Sequence, residues 1–257
     1  MITDLNDRTP IRLKTILLTR PPGENESLAD LLRAAGLSPV VRPLIELIAK
    51  PVDREMKRIA LDLDRYDKII FVSKSGVLYG LPILEDYWPQ WPISLEWFSV
   101  GSGTAEALKQ HGVIASFPAL AGSEGLLALS GLQEVAGKQV LIVRGAGGRE
   151  LLGQSLGASG ASVTYLETYR RVLLQHDFSD LLAGSIVILT SAEIMENFAS
   201  LVGDRRHEYH AVVPSSRLEE IARTLVFQGV TNAGGASQEA LYDAVMKAVN
   251  TSGKANE

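Results

Sequence analysis

The sequence of 257 residues predicts an α/β fold with parallel sheet, on three observations. The segments 69–72 (Ile-Ile-Phe-Val), 140–143 (Val-Leu-Ile-Val) and 186–189 (Ile-Val-Ile-Leu) are apolar without alternation, as strands covered by helices on both faces read. Between such runs lie helical patterns, among them Leu28, Leu31, Leu32 and Ala35 on one face. Gly36 and Gly160 stand where helices should stop. Strand–helix alternation of this kind is the signature of parallel sheet.

Strands are expected at 15–19, 39–43, 68–72, 97–100, 139–143, 162–166, 185–189, 211–213 and 229–232. A weak internal repeat orders them. Thr19-Arg20 matches Val143-Arg144, Leu28 matches Leu152, Leu32 matches Leu156 and Gly36 matches Gly160, all at one offset. Further on, Val72-Ser73 aligns with Thr190-Ser191, Val100-Gly101-Ser102 with Val213-Pro214-Ser215, and Gly112-Val113 with Gly229-Val230. With a fifth place in the first half marked by Gly112-Val113, each half offers five strand candidates in one order, and two similar domains suggest a ligand cleft between them.

Composition excludes several classes of function. A formal net charge of −5 with no basic stripe disfavours nucleic acid as partner. The lack of cysteine removes disulfides, thiolate metal sites and thiol nucleophiles, and fits a cytoplasmic protein. No apolar run suggests a membrane span or a signal peptide. The first 15 residues read as a loose arm, and 251–257 as a fraying tail. The histidines (His111, His176, His207, His210) read as solvated surface residues without metal-ligand context.

Loops after parallel strands form the ligand-facing rim of open α/β sheets. Here they carry Arg20-Pro21-Pro22-Gly23, Ser73-Lys74-Ser75-Gly76, Gly101-Ser102-Gly103-Thr104, Arg144 to Glu150, Thr190-Ser191 and Pro214-Ser215-Ser216-Arg217. Glycines permit close backbone approach, hydroxyls cap helix starts, and helix N-terminal amides receive anionic oxygens. Six such rims imply a ligand with several anionic groups. Thr190 with Glu193, and Ser216 with Glu219, also fit a capping box, so their hydroxyls serve either helix or ligand. Ser123 reads as a helix cap. The glycines Gly145, Gly147 and Gly148 break dinucleotide-loop spacing, so the stretch between Arg144 and Arg149 is either a turn or an anion nest flanked by guanidiniums. Tyr169 either packs at a hinge or offers a phenol to chemistry. Tyr87, Trp88, Trp91 and Trp97 are expected to cover a core or a domain edge.

The run from Val143 to Leu152, with Gly160-Ala161-Ser162-Val163 and Tyr169-Arg170, resembles the uroporphyrinogen-III synthase family. Leu18-Thr19-Arg20-Pro21, Phe71-Val72-Ser73, Val100 to Ala105, Ser123 to Leu127, Thr190-Ser191 with Asn197-Phe198, and Pro214-Ser215 with Arg217 extend the resemblance over about residues 15–250. The resemblance implies two flavodoxin-like parallel-sheet domains around a cleft, joined by a two-stranded linker. Residues 1–44 with 173–257 would form one domain and 51–167 the other, with linker strands at about 45–50 and 168–172. The implied reaction closes hydroxymethylbilane to uroporphyrinogen III through a spiro intermediate, with loss of water and inversion of the last ring. It needs no cofactor or metal, and the substrate's eight carboxylates agree with the anion-binding rims. Tyr169 matches a family tyrosine assigned to departure of the hydroxyl, and Thr104 a threonine at the cleft. Arg20, Ser73, Ser102, Thr104, Arg144, Gly145, Gly147, Arg149, Thr190, Ser191, Ser215 and Ser216 are the candidate substrate-binding residues. Pro214, which has no N–H, stands where the first repeat has Gly101.

The expected protein is a monomeric porphyrin-biosynthesis lyase. The competing reading is a two-domain binding or sensor protein that closes on a small anion without turnover. A nucleotide-using enzyme fits less well, for want of the glycine spacing and a phosphate lysine.

Overall fold

The structure, a computed structural model, describes residues 15–120, 122–148 and 150–253. In chain order the first elements are β1 (Thr15–Leu18), α1 (Glu26–Ala34), β2 (Ser38–Val41), β3 (Ile45–Ala49), α2 (Arg54–Leu61), β4 (Lys68–Phe71), α3 (Lys74–Glu85), β5 (Glu96–Ser99) and α4 (Ser102–Lys109). There follow α5 (Ser123–Leu127), β6 (Gln139–Gly145), α6 (Leu151–Ala158), β7 (Ser162–Leu173), β8 (Ile186–Ile188), α7 (Ala192–Val202), β9 (His210–Val213), α8 (Ser216–Thr224), β10 (Gly229–Asn232) and α9 (Gln238–Gly253).

The chain divides into two compact units: residues up to Glu46 together with those from Val172 onward, and Leu47–Arg171. The first contains a sheet in the order β10-β9-β8-β1-β2, parallel at every junction. Leu17, Val187, Ala211 and Val213 pack with Ile194, Phe198 and Leu218 from α7 and α8. Their neighbours Ile16, Leu18, Ile186, Ile188 and Val212 pack with Leu28 and Leu32 of α1 and Leu241 and Val245 of α9. The non-alternating runs thus bury both faces of the sheet, as parallel strands under two helical layers must.

The second sheet has the order β3-β7-β6-β4-β5. Ile69, Phe71, Leu141 and Val143 pack under α2 and α3, and Ile70, Val140 and Ile142 under α5 and α6. Tyr87, Trp88, Trp91 and Trp97 lie against the first of these layers, Trp88 donating from Nε1 to the Ala60 carbonyl at 2.6 Å.

Read from the strand second from one edge, both sheets follow the flavodoxin-like order 2-1-3-4-5. The fifth place is taken by β10 in one and by β3 in the other. The repeat is exchanged between them: β1 and β2 share a sheet with β8 and β9, and β6 and β7 with β4 and β5. The fifth strand expected in the first half shrinks to a single bridge between Phe98 and Ser116. Residues 162–173 form one strand rather than a strand that stops at 166. The units change at Glu46/Leu47 and Arg171/Val172, within β3 and β7. Backbone bonds Lys50 N–H to Thr168 O (2.9 Å) and Leu174 N–H to Leu44 O (3.0 Å) set these two strands opposite each other.

Gly36 (φ +76) and Gly160 (φ +88) end α1 and α6 in the left-handed conformation, as expected. The arm before Thr15 and the residues after Gly253 lie outside the described residues. Thr251 is still helical, its hydroxyl bonded to the Lys247 carbonyl at 2.7 Å. Two histidines depart from expectation. His176 Nε2 lies 2.7 Å from the Pro43 carbonyl, and His210, within β9, 2.8 Å from the Thr231 hydroxyl; both are half-buried.

Candidate functional site

Parallel register brings the C-terminal strand ends of a sheet to one edge. In the second unit Phe71 stands opposite both Ser99 and Val143, and Val143 opposite Leu166. Ser73, Ser102, Thr104, Arg144, Gly145, Gly147 and Tyr169 therefore share one rim. The first unit does the same for Arg20, Thr190, Ser191, Ser215 and Ser216, because Leu18 stands opposite Ile188 and Ile188 opposite Val212.

Tyr169 owes its position to an irregularity. Arg144 is opposite Glu167, yet Gly145 is opposite Tyr169, so Thr168 is an extra residue in β7, a bulge. The Tyr169 ring then covers Gly145, where a Cβ would stand 2.6 Å from ring carbons. The Ala146 N–H donates to the Tyr169 carbonyl at 2.7 Å. The phenol, 2% exposed, reaches the Ser73 hydroxyl at 3.1 Å. Tyr79 packs against the ring at 5.4 Å between centroids, and the Arg171 guanidinium lies 5.8 Å from its centre.

Ser73 is the N-cap of α3, accepting from the Gly76 N–H at 2.9 Å. Lys74, the next residue, extends along Gly103; a Cβ on Gly103 would stand 2.8 Å from Lys74 Cε. Lys74 thus brings an ammonium group to this rim beside its hydroxyls, amides and Arg144. Its signal was a lysine directly after a capping serine in a rim loop.

Ser102 is exposed at the first position of α4, which is capped by Gly101. Thr104, two residues on, is buried, and its N–H donates to the Gly101 carbonyl. Gly147 is exposed with φ +69, the left-handed turn that makes glycine necessary there. Gly122, not Ser123, caps α5. Arg149 lies outside the described residues.

Arg144 is held from several sides. One Nη2 meets Glu150 Oε1 at 2.8 Å and Glu167 Oε1 at 3.1 Å, Nη1 meets the Gly148 carbonyl at 3.3 Å, and the guanidinium stacks 3.7 Å from the centre of Tyr165. Burial alone would lower its pKa, but Glu150 and Glu167 hold it above the ordinary arginine value. The Arg144 guanidinium, then the Tyr165 hydroxyl, holds Glu150 below the usual carboxylate range.

In the first unit the capping serines sit one residue after the expected positions for Thr190 and in front of that for Ser216. Ser191 accepts from Ile194 N–H at 3.1 Å, and Ser215 from Leu218 N–H at 3.4 Å. Thr190 is half-buried before the cap, while the Ser216 hydroxyl receives the Asn232 amide at 3.3 Å. Arg20 pairs with Glu24 at 3.0 Å. Buried Asn25 ties this loop together, its amide donating to the carbonyls of Arg20 (2.8 Å) and Pro21 (3.1 Å). An Asn before the amphipathic α1 was readable as a cap-type residue.

The family model described as uroporphyrinogen-III synthase HemD matches residues 26–243. The chain belongs to the uroporphyrinogen-III synthase family. It is 34% identical over 247 residues to the uroporphyrinogen-III synthase of Salmonella typhimurium, covering 90% of this chain and 99% of that one. With the Escherichia coli uroporphyrinogen-III synthase it shares 32% identity over 244 residues, again 90% and 99%. Solved uroporphyrinogen-III synthases share the fold: one from Thermus thermophilus at TM-score 0.63 and 14% identity (93% and 99% covered), and one from Helicobacter pylori at 0.60 and 16% (91% and 99%). Among the described residues, no helix of this family member is long and apolar enough to cross a membrane.

Proposed function

We propose that the chain closes hydroxymethylbilane to uroporphyrinogen III, inverting the last pyrrole ring and releasing water, as a lyase of heme biosynthesis. Family membership over residues 26–243 supports the reaction, and the seat of Tyr169 at a strand-end rim supports the mechanism. Of these, the Tyr169–Ser73 contact carries the chemical part of the reading.

In this reading Ser73, Ser102, Thr104, Gly147, Thr190, Ser191, Ser215 and Ser216, with Lys74 and Arg20, receive the substrate carboxylates through hydroxyls, N-terminal amides and cationic side chains. Ser73 already accepts from Gly76, so its hydroxyl proton is available to the Tyr169 oxygen. The phenol proton is then free to turn to the departing hydroxyl, which leaves as water while the pyrrole nitrogen supplies the electrons. Ring closure through the spiro intermediate follows from the held geometry, which excludes unassisted closure to the type I isomer. The finer reading is a cytoplasmic monomer with a small-molecule substrate and no nucleic-acid partner, the last supported by the net charge of −5.

Isomer analysis of porphyrin formed from freshly made bilane tests this reading. Mostly type III product is expected; type I alone, at the uncatalysed rate, sinks the enzyme reading and favours a binding protein.

A further inference from the structure

We infer that Arg144 positions Tyr169 rather than binding substrate, an inference that rests on the proposed role of Tyr169. The sequence suggested a guanidinium offered to a substrate carboxylate. In the structure this side chain faces two carboxylates of its own unit, Glu150 and Glu167. Lys50 lies 3.7 Å from Glu167 as well. Arg144, Lys50, Glu150 and Glu167 pair among themselves, so a carboxylate arriving at Arg144 competes with Glu150 and Glu167 for the guanidinium. A rim cation such as Lys74 is a better receiver.

What the pair does follow from is register. Arg144 and Glu167 form the last regular rung between β6 and β7, and their side chains bond across it. The next rung is displaced by Thr168 and joins Gly145 to Tyr169. A one-residue slip in a strand turns a side chain to the opposite face. The ion pair fixes the rung at which the slip begins, and Gly145 leaves room for the ring that results. The Tyr165 ring, stacked on the guanidinium, and Glu150, bonded to the Tyr165 hydroxyl at 3.1 Å, close the clamp. Only with this rung fixed does the phenol meet Ser73.

The test is a double-mutant cycle of Arg144→Gln and Tyr169→Phe, following type III formation with kcat and KM separated. For Arg144→Gln alone, kcat should fall at least about tenfold with KM within about twofold. In the Tyr169→Phe background the same change should cost little more, because a group that acts through another has nothing further to remove. If Arg144→Gln alone does not fold, Arg144→Gln/Glu167→Gln, which leaves no stranded carboxylate at this rung, enters the cycle in its place. A rise in KM with unchanged kcat, or losses from the two sites that multiply, would overturn the inference. So would a fully active Tyr169→Phe beside a defective Arg144→Gln. The isomer made by the parent enzyme tests the underlying reaction separately, whatever the cycle returns.

Discussion

The hydroxyls of Tyr169 and Ser73, 96 residues apart in sequence, stand 3.1 Å from each other. One lies just past a bulge and the other at the start of α3, so a helix cap and a strand irregularity define a single hydrogen bond. Removing the phenol should leave the packing of its ring on Gly145 and Tyr79. Tyr169→Phe is expected to keep the parent melting temperature within a few degrees while slowing type III formation by about 10²–10⁴-fold, the range for a lost general acid. Unchanged kcat would remove Tyr169 from the chemistry.

Ser73→Ala combines two effects. Losing the cap on Gly76 should destabilise the fold by about 1 kcal/mol. Losing the partner of Tyr169 should lower kcat too, and Ser73→Thr, which keeps the hydroxyl, should restore most of both. Thermal denaturation and steady-state kinetics on the same preparations check this.

At Gly145 there is no space for a methyl group. Gly145→Ala forces the Tyr169 ring away and should cost about 1–3 kcal/mol, with kcat falling alongside. By contrast Gly147→Ala meets no neighbour, and its penalty comes from φ +69 alone. Urea denaturation of the two variants separates crowding from backbone strain.

Thr168 has a buried hydroxyl with no hydrogen-bond partner among the described residues. Thr168→Val keeps the shape and removes that desolvated oxygen, and should raise stability by about 1 kcal/mol. A clear loss of stability would mean that an ordered water or another donor serves the oxygen.

Stability should also fall in acid at identifiable carboxylates. Asp67 accepts from the Gln139 N–H at 2.8 Å and from Lys138 at 2.9 Å, and these hold its pKa below the ordinary aspartate value. Glu150 is lowered likewise by Arg144 and Tyr165. A depressed folded-state pKa contributes stability above the unfolded value of about 4, and the contribution is lost as pH falls through the folded value. Asp67→Asn should therefore flatten the acid limb of melting temperature against pH. An unchanged slope would remove this group from the acid response.

The sheets were legible because their central strands are solid apolar runs that only burial on two faces explains. Strand pairing was not legible from periodicity, since β1 bonds to β8 across about 170 residues and no local pattern records it. The caps were misplaced by one residue for a simple reason. Thr190-Ser191 and Ser215-Ser216 are adjacent hydroxyls, and either could cap; Glu193 and Glu219 fit the box with Thr190 and Ser216, but the extended backbone falls at Ser191 and Ser215. The bulge at Thr168 left no trace, because neither glycine nor proline marks it and the slip is set by what β6 presents opposite. The pairing of Arg144 with Glu167 was not legible for a related reason: the carboxylate lies on another strand and meets the guanidinium only once β7 is paired.

The exchange of strands between the repeats also orders events during synthesis. The partners of β4, β5 and β6 in their sheet have all been made once β7 leaves the ribosome, whereas β1 and β2 then still await β8, β9 and β10. A chain cut near its midpoint yields two fragments that each lack three strands of one sheet and two of the other, so neither repeat is a self-sufficient folding unit despite its sequence likeness to the other.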